Sequence, residues 1–257
     1  MLLYIERWLK VPYEDKDEKQ TIRIMGVPQG SVIGPVLANL YLHYVFDKWM
    51  QMYHSQIPFE RYADDTICHC QSKEEAEVLK DEIEKRFSTC KLKLNMEKTR
   101  IVFCKSSYRP LKYTETSFDF LGFTFRPRVS MSRVSKTLLT GFSPAISKKS
   151  VKKIHETIRS WKLTSKVSMS ISELAALVNP VIQGWINYYS KFNKTEFRKV
   201  MDYLNGKLAR WLRRKHKNLR KGYVGKARLA LALTAQKNPN LFAHWACGYK
   251  LYMKNVN

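Results

Sequence analysis

Metal-binding cysteine spacing is missing from this sequence. Its five cysteines, Cys68, Cys70, Cys90, Cys104 and Cys247, include no C-x-x-C pair, and no histidine spacing completes a zinc site. Cys68 and Cys70 flank His69, but on a strand they face away from it, so they are expected as buried strand cysteines. The odd count and the lack of a signal peptide point to a reducing compartment, with a cytoplasmic location expected. Long hydrophobic runs are also missing. The longest, Val32 to Phe46, is interrupted by Pro35, Asn39 and His43 and is too short to span a bilayer, so no membrane partner is expected. There is no internal repeat and no low-complexity tract. Acid is scarce in one half only: residues 131–257 hold 4 Asp+Glu against 26 Lys+Arg, whereas residues 1–130 hold 18 against 20.

What is present is a chain of 257 residues with 44% hydrophobic content, enough for two modest domains with real cores. The formal charge of +24 divides into +2 for the first half and +22 for the second. A neutral half joined to a strongly basic half predicts a catalytic or structural module beside one that binds a polyanion. Membrane-surface binding competes for so much positive charge. It is the weaker reading, because the basic half is rich in capped helices with aromatic anchors.

Two adjacent acids stand out. In Phe59-Glu60-Arg61-Tyr62-Ala63-Asp64-Asp65-Thr66-Ile67-Cys68 the spacing predicts one strand over Phe59–Tyr62, a second over Thr66–Cys70, and Ala63-Asp64-Asp65 as the connection. Neighbouring carboxylates repel, and a hard divalent cation such as Mg²⁺ removes that cost. An ordinary acidic turn is the competing reading, since Asp is a common turn residue.

About thirty residues upstream lie Gly26-Val27-Pro28-Gln29-Gly30-Ser31 and then Pro35-Val36-Leu37-Ala38-Asn39-Leu40-Tyr41-Leu42. Loop, helix and Y-A-D-D hairpin in this order and at this spacing resemble the palm of a group II intron reverse transcriptase/maturase. Ser117 to Phe125 resembles the F-x-F-L-G-F signature that closes that family's palm. Gly184 to Tyr189, Trp211 to Lys215 and Asn238 to Trp245 resemble its maturase-specific region, which serves as thumb and RNA-binding surface. The resemblance covers nearly the whole chain.

In chain order, Met1–Lys10 is expected as a helix ended by Pro12, Tyr13–Gln20 as a solvated loop, and Thr21–Met25 as a short strand. Gly34-Pro35 starts a helix with Val36, Leu37, Leu40, Tyr41, Tyr44, Val45 and Trp49 inward. Relatives often carry Ser where Gly34 stands, so a possible cap is lost. Ser72 caps the next helix, with Ala76, Leu79, Ile83 and Phe87 inward and Asp81–Lys85 and Glu82–Arg86 paired outside. Leu92–Leu94 and Arg100–Cys104 read as strands joined by the Asn95–Thr99 turn. Helices on an antiparallel sheet give an α+β layout for residues 1–129. The Ser/Thr/Arg/Lys-rich stretch 130–146 is expected as a linker, and 147–257 as an all-α bundle. Ser147, Ser170 and Asn193 cap its three amphipathic helices. Inward positions on the second are Leu174, Leu177, Val178, Val181, Ile182 and Trp185, with a kink expected at Pro180.

The resemblance implies RNA-templated DNA synthesis and assistance to intron splicing, with Mg²⁺ as cofactor. Asp64 and Asp65 are then the catalytic metal ligands. Pro28, Gln29, Gly30, Tyr62 and Ala63 line the substrate site, and Lys98 lies near the incoming deoxynucleoside triphosphate. The implied partners are intron RNA, an RNA template and a DNA primer. Basic positions expected to hold nucleic acid are Lys148, Lys149, Lys152 and Lys153, then Arg210, Arg213, Arg214, Lys215, Lys217, Arg220 and Lys221. Aromatic Tyr188 and Tyr189 are expected near Trp211 in that surface. The family's further metal-binding Asp has no counterpart in the 25 residues before Gly26. Three readings therefore stay open: the C-terminal part of a split or truncated enzyme that works with a missing N-terminal fragment, a non-catalytic RNA-binding module, and an inactive remnant.

Overall fold

A computed structural model describes residues 2–14, 20–21, 26, 30–109, 113–131, 136–220 and 225–251. It is α+β, with helices and three small antiparallel sheets among the described residues up to Ile146 and helices alone after it. The chain divides into two compact units, Met1–Ile101 and Val102–Asn257. Among the described residues no helix is long and apolar enough to cross a membrane.

The first unit opens with α1 (Leu2–Lys10). The expected loop after it instead begins and ends in two-residue strands, β1 (Tyr13–Glu14) and β2 (Gln20–Thr21), paired antiparallel. The expected strand over Thr21–Met25 lies outside the described residues beyond Thr21. Next comes one long helical run in three parts: α2 (Gly34–Leu42), a π turn over His43–Asp47, and α3 (Lys48–Tyr53). Ser31 Oγ accepts from the Gly34 N–H at 3.2 Å, so the start is capped from three residues upstream although Gly34 has no side chain. The hairpin of β3 (Phe59–Tyr62) and β4 (Asp65–Cys68) follows, then α4 (Lys73–Thr89). Ser72 caps α4 by accepting from the Glu75 N–H at 3.1 Å.

The core of this unit is small: Phe46, Met50, Ile57 and Leu79, flanked by Phe59, Ile83 and Phe87. Phe46 stands edge-on to Phe59 with ring centroids 5.2 Å apart. The expected inward face of α2 is corrected: Val36, Leu40, Tyr41 and Tyr44 are exposed. Val45 is buried as expected, but the period was that of an uninterrupted α-helix, whereas the π turn shifts it and buries Phe46 and Met50 instead. The expected Glu82–Arg86 pair gives way to other partners. Arg86 Nε donates to the Val45 carbonyl in the π turn at 3.1 Å, and Glu82 lies 3.3 Å from His54. Leu92–Leu94 and Arg100–Cys104 are not strands. Lys91 takes φ 54 and the Leu92 N–H returns to the Phe87 carbonyl, so the first stretch is used to end α4.

In the second unit β5 (Phe118–Phe120), β6 (Phe123–Met131) and β7 (Leu138–Ile146) form one antiparallel sheet in that order. This corrects the linker expected over 130–146. Ser130 pairs with Leu139 and Met131 with Leu138, so the stretch is the outer end of a hairpin. Val129, Met131 and Leu138 are exposed there. Strand ends with solvent on both faces carry the polar composition of a linker, which is why composition misled.

The bundle comprises α5 (Lys148–Ser160), a short 3₁₀ turn, α6 (Ile171–Tyr189), α7 (Lys194–Lys215), α8 (Lys217–Arg220), α9 (Gly225–Lys237) and α10 (Ala243–Ala246). Ser147, Ser170 and Asn193 cap α5, α6 and α7 as expected, and Ser170 with Glu173 completes both halves of a capping box. Each such cap stabilises by about 1 kcal/mol. α6 runs on through Pro180, and its Leu177 and Val181 are exposed rather than inward. Phe197, Val200, Met201, Leu204, Leu208, Trp211 and Leu212 of α7 form the central stripe of the core.

The Leu121-Gly122 turn plugs the sheet into this bundle. Both residues have positive φ, 48 and 79. The Gly122 carbonyl accepts from Ser147 N–H at 2.9 Å and Ser150 Oγ at 3.0 Å, and the Leu121 carbonyl from the Tyr188 hydroxyl at 2.7 Å. A Cβ on Gly122 would meet Ser150 Oγ at 3.0 Å and the Tyr189 hydroxyl at 3.2 Å. Gly122→Ala is therefore expected to cost about 3 kcal/mol, combining left-handed strain with overpacking. Denaturant unfolding checks this; a loss under about 1 kcal/mol would mean that the turn yields without strain.

Candidate catalytic hairpin and basic helical surface

At the hairpin tip Tyr62 pairs directly with Asp65, so the loop is only Ala63-Asp64 and Asp65 already belongs to β4. This shortens the expected three-residue connection. Ala63 has φ 53 and Asp64 does not share the positive sign. That sign pattern is of a type II′ turn, whose twist matches the strands but whose first position favours Gly. Tyr62, Ala63, Asp64 and Asp65 are all exposed. Neither side-chain carboxylate makes a hydrogen bond or ion pair with a described residue. Two free carboxylates at one tip are hard oxygen donors of the kind Mg²⁺ takes, and it commonly uses one or two protein carboxylates. Among the described residues no three of His, Cys, Asp and Glu converge as a metal-holding group.

The hairpin is fastened by residues that the sequence pattern did not single out. Arg61 donates through Nε and Nη2 to the two Asp47 carboxylate oxygens at 2.7 and 2.6 Å. Its Nη1 donates to Asn39 Oδ1 at 3.0 Å and to the Ala63 carbonyl at 2.9 Å. The Arg61 guanidinium beside Asp47 holds that carboxyl below its usual range, and Asp47 in turn raises Arg61. Below the tip, Cys68 is half-buried, and burial pushes its thiol up to about 12, which fits an inert strand cysteine.

The other expected substrate residues are dispersed. Gly30 ends its loop with φ 94 in open space, while Pro28 and Gln29 lie outside the described residues. Lys98 is exposed on the Asn95–Thr99 turn, where its N–H donates to the Asn95 carbonyl at 3.1 Å.

The basic positions form two groups. Lys148, Lys149, Lys152 and Lys153 are exposed along one face of α5. The first two sit in the opening turn, where no acid balances them and the helix dipole disfavours positive charge. Helix stability does not explain them. At the end of α7 the picture differs. Lys215 Nζ donates to the Val167 and Met169 carbonyls at 2.9 and 2.6 Å and lies over the Trp211 ring. Arg220 donates to the Arg214 carbonyl at 2.7 Å and Arg213 to the Arg220 carbonyl at 3.3 Å. These three close the chain reversal after α7, whereas Arg210, Arg214 and Lys217 are exposed and Lys221 lies outside the described residues. The expected grouping of Tyr188 and Tyr189 with Trp211 is also corrected. Tyr189 stacks near Phe197 and Tyr188 on Phe123, while Trp211 donates to the Lys166 carbonyl. Phe197 and Trp211 are about 21 Å apart along α7.

Comparison with known families matches residues 1–125 to "Reverse transcriptase (RNA-dependent DNA polymerase)" and residues 151–228 to "Group II intron, maturase-specific domain". No curated protein matches the chain.

Proposed function

Because the chain belongs to the group II intron reverse transcriptase/maturase family, we propose that it joins two tasks of that family. Its hairpin contributes to Mg²⁺-dependent, RNA-templated DNA synthesis, and its basic helices hold intron RNA during splicing. Asp64 and Asp65 would hold the metal, which when bound activates a primer 3′-hydroxyl and neutralises charge on the triphosphate. The chain's own part is to present two carboxylates, without partners among the described residues, at the tip of a short hairpin. Tyr62 and Ala63 flank them as substrate contacts, with Gly30 and Lys98 as further contributors. Two carboxylates are fewer than a two-metal site needs, so we assign the remaining ligand to an upstream palm segment acting with these residues.

The observation that carries the RNA-binding half is the row of exposed lysines on α5, the first two of which stand in an opening turn with no acid to balance them. Phosphates supply the missing partner. Replacing Lys148, Lys149, Lys152 and Lys153 by Gln is expected to weaken binding of a structured RNA at least about tenfold near physiological salt. The slope of log affinity against log salt should flatten by about 0.7–0.9 for each phosphate that the variant no longer neutralises. Circular dichroism should show an unchanged helix content, since two of the four charges oppose the dipole. An unaltered slope in the folded variant would place the RNA elsewhere, with Arg210, Arg214 and Lys217 the next positions to test.

A further inference from the structure

Arg61 is a costly residue for a small unit to keep inside. Its side chain is 11% exposed and that of Asp47 16%, and a largely buried ion pair contributes little net stability after desolvation. The geometry around it has a different use. The Ala63 carbonyl that Arg61 holds belongs to the peptide joining Ala63 to Asp64. Fixing that carbonyl fixes the peptide plane from which the Asp64 side chain departs. The position needs fixing, because Ala63 at φ 53 lacks the freedom of the Gly that this turn favours.

The π turn builds the other half of the clamp. In a regular α-helix Asn39 and Asp47, eight residues apart, would stand about 80° apart around the axis. A π turn closes i to i+5 and so advances less per residue. The turn over His43–Asp47 therefore brings Asp47 round toward the line of Asn39, and both reach one guanidinium. His43 Nδ1 lies 3.2 Å from Asp47 Oδ2 and braces it from the same turn. The planar fork of Arg61 spends its donors on three acceptors from three elements: Asn39 of α2, Asp47 of the π turn and Ala63 of the tip.

We propose that Arg61 is a positioning residue: gripped by Asp47 and Asn39 across the π turn, it locks the Ala63–Asp64 peptide and aims the Asp64 carboxylate at a divalent metal. This rests on the reading of Asp64 as a metal ligand. Lys cannot replace Arg here, since an ammonium keeps the charge opposite Asp47 but cannot span three acceptors in one plane.

The test uses the full chain with Mn²⁺ as the probe, followed by electron paramagnetic resonance, and amide hydrogen exchange by NMR as a second readout. Wild type is expected to bind Mn²⁺ at a site that Asp64→Ala removes. Arg61→Lys should stay folded, lose about 10–100-fold in Mn²⁺ affinity, the scale for outer-shell partners of metal ligands, and exchange faster at amides 62–65 than elsewhere in the hairpin. Asn39→Ala, which leaves the ion pair intact, should shift both readouts the same way by less. Unchanged affinity and unchanged tip exchange in Arg61→Lys overturn the proposal while leaving Asp64 as a ligand. Affinity lost only alongside a uniform rise in exchange over both strands also overturns it, since the pair would then be merely structural. Equal Mn²⁺ uptake by wild type and Asp64→Ala overturns the metal reading and this proposal together.

Discussion

Asp64→Ala is expected to reduce nucleotide incorporation by roughly 10³-fold, the scale of removing a preorganised electrostatic contact at a reacting centre. The assay that shows it is primer extension on an RNA template in Mg²⁺, with these 257 residues supplied with an upstream palm segment carrying the further carboxylate. Without that segment no extension is expected, because two carboxylates do not make a two-metal cage. Asp65→Ala should cost less. Asp64 lies in the loop at the peptide that Arg61 holds, whereas Asp65 is already on β4 opposite Tyr62. Directly opposed residues of an antiparallel pair project to one face, so Asp65 leaves the hairpin on the side of Tyr62. Extension by the unsupplemented chain that Asp64→Ala abolishes would show that the two acids suffice. Equal tolerance of both substitutions in the supplemented assay would remove the hairpin from the metal site.

The features legible in the sequence are those set by bonds over three or four residues. Ser72, Ser147, Ser170 and Asn193 each accept from a backbone N–H three residues on, so residue type and spacing were enough to place four helix starts. The α7 core stripe was legible for a similar reason, because an uninterrupted helix keeps its period over its whole length. The π turn was not legible. It breaks that period inside an apolar run, and with it the expected inward face of α2. Arg61 was hidden too, since in the sequence it is only a polar position on a short strand, and its partners lie fourteen and twenty-two residues away. Charge was legible as a total and misleading in detail. Lys215, Arg213 and Arg220 count toward the basic half, yet their donors are spent on backbone carbonyls, a competition that composition cannot reveal. The outer end of the β6–β7 hairpin was missed because Val129, Ser130, Met131 and Leu138 are exposed and leave no alternating pattern to read.

Acidification should destabilise the second unit through the buried His244. It is fully buried, and Asn205, also fully buried, is its partner. Asn205 Oδ1 accepts from Trp245 Nε1 at 2.9 Å, and since indole can only donate, the oxygen must face this way. Asn205 Nδ2 then donates to the Tyr249 carbonyl at 3.0 Å, as that orientation requires. His244 Nε2, 2.9 Å from the same oxygen, must therefore carry its proton, which leaves Nδ1 as a buried lone pair with no partner among the described residues. Protonating Nδ1 would place a charge in the core beside no acceptor, and burial pushes the His244 pKa down to about 3. An unfolded histidine titrates near 6.5. Above that pH both states are neutral and nothing is lost. Between about 6.5 and 3 the unfolded chain binds a proton that the folded chain refuses, so stability falls as pH falls, by up to about 1.4 kcal/mol per pH unit. Near pH 5 the loss should be about 2 kcal/mol. Other groups titrate in the same range, so the measurement is a difference: unfolding free energies of wild type and His244→Leu at pH 7 and pH 5. The variant gives up the bond to Asn205 and is expected to be less stable at pH 7, but it has no proton to refuse. The gap between the two proteins should narrow by about 2 kcal/mol on going to pH 5. A gap that stays constant would mean that His244 keeps an ordinary pKa and that Nδ1 finds an acceptor.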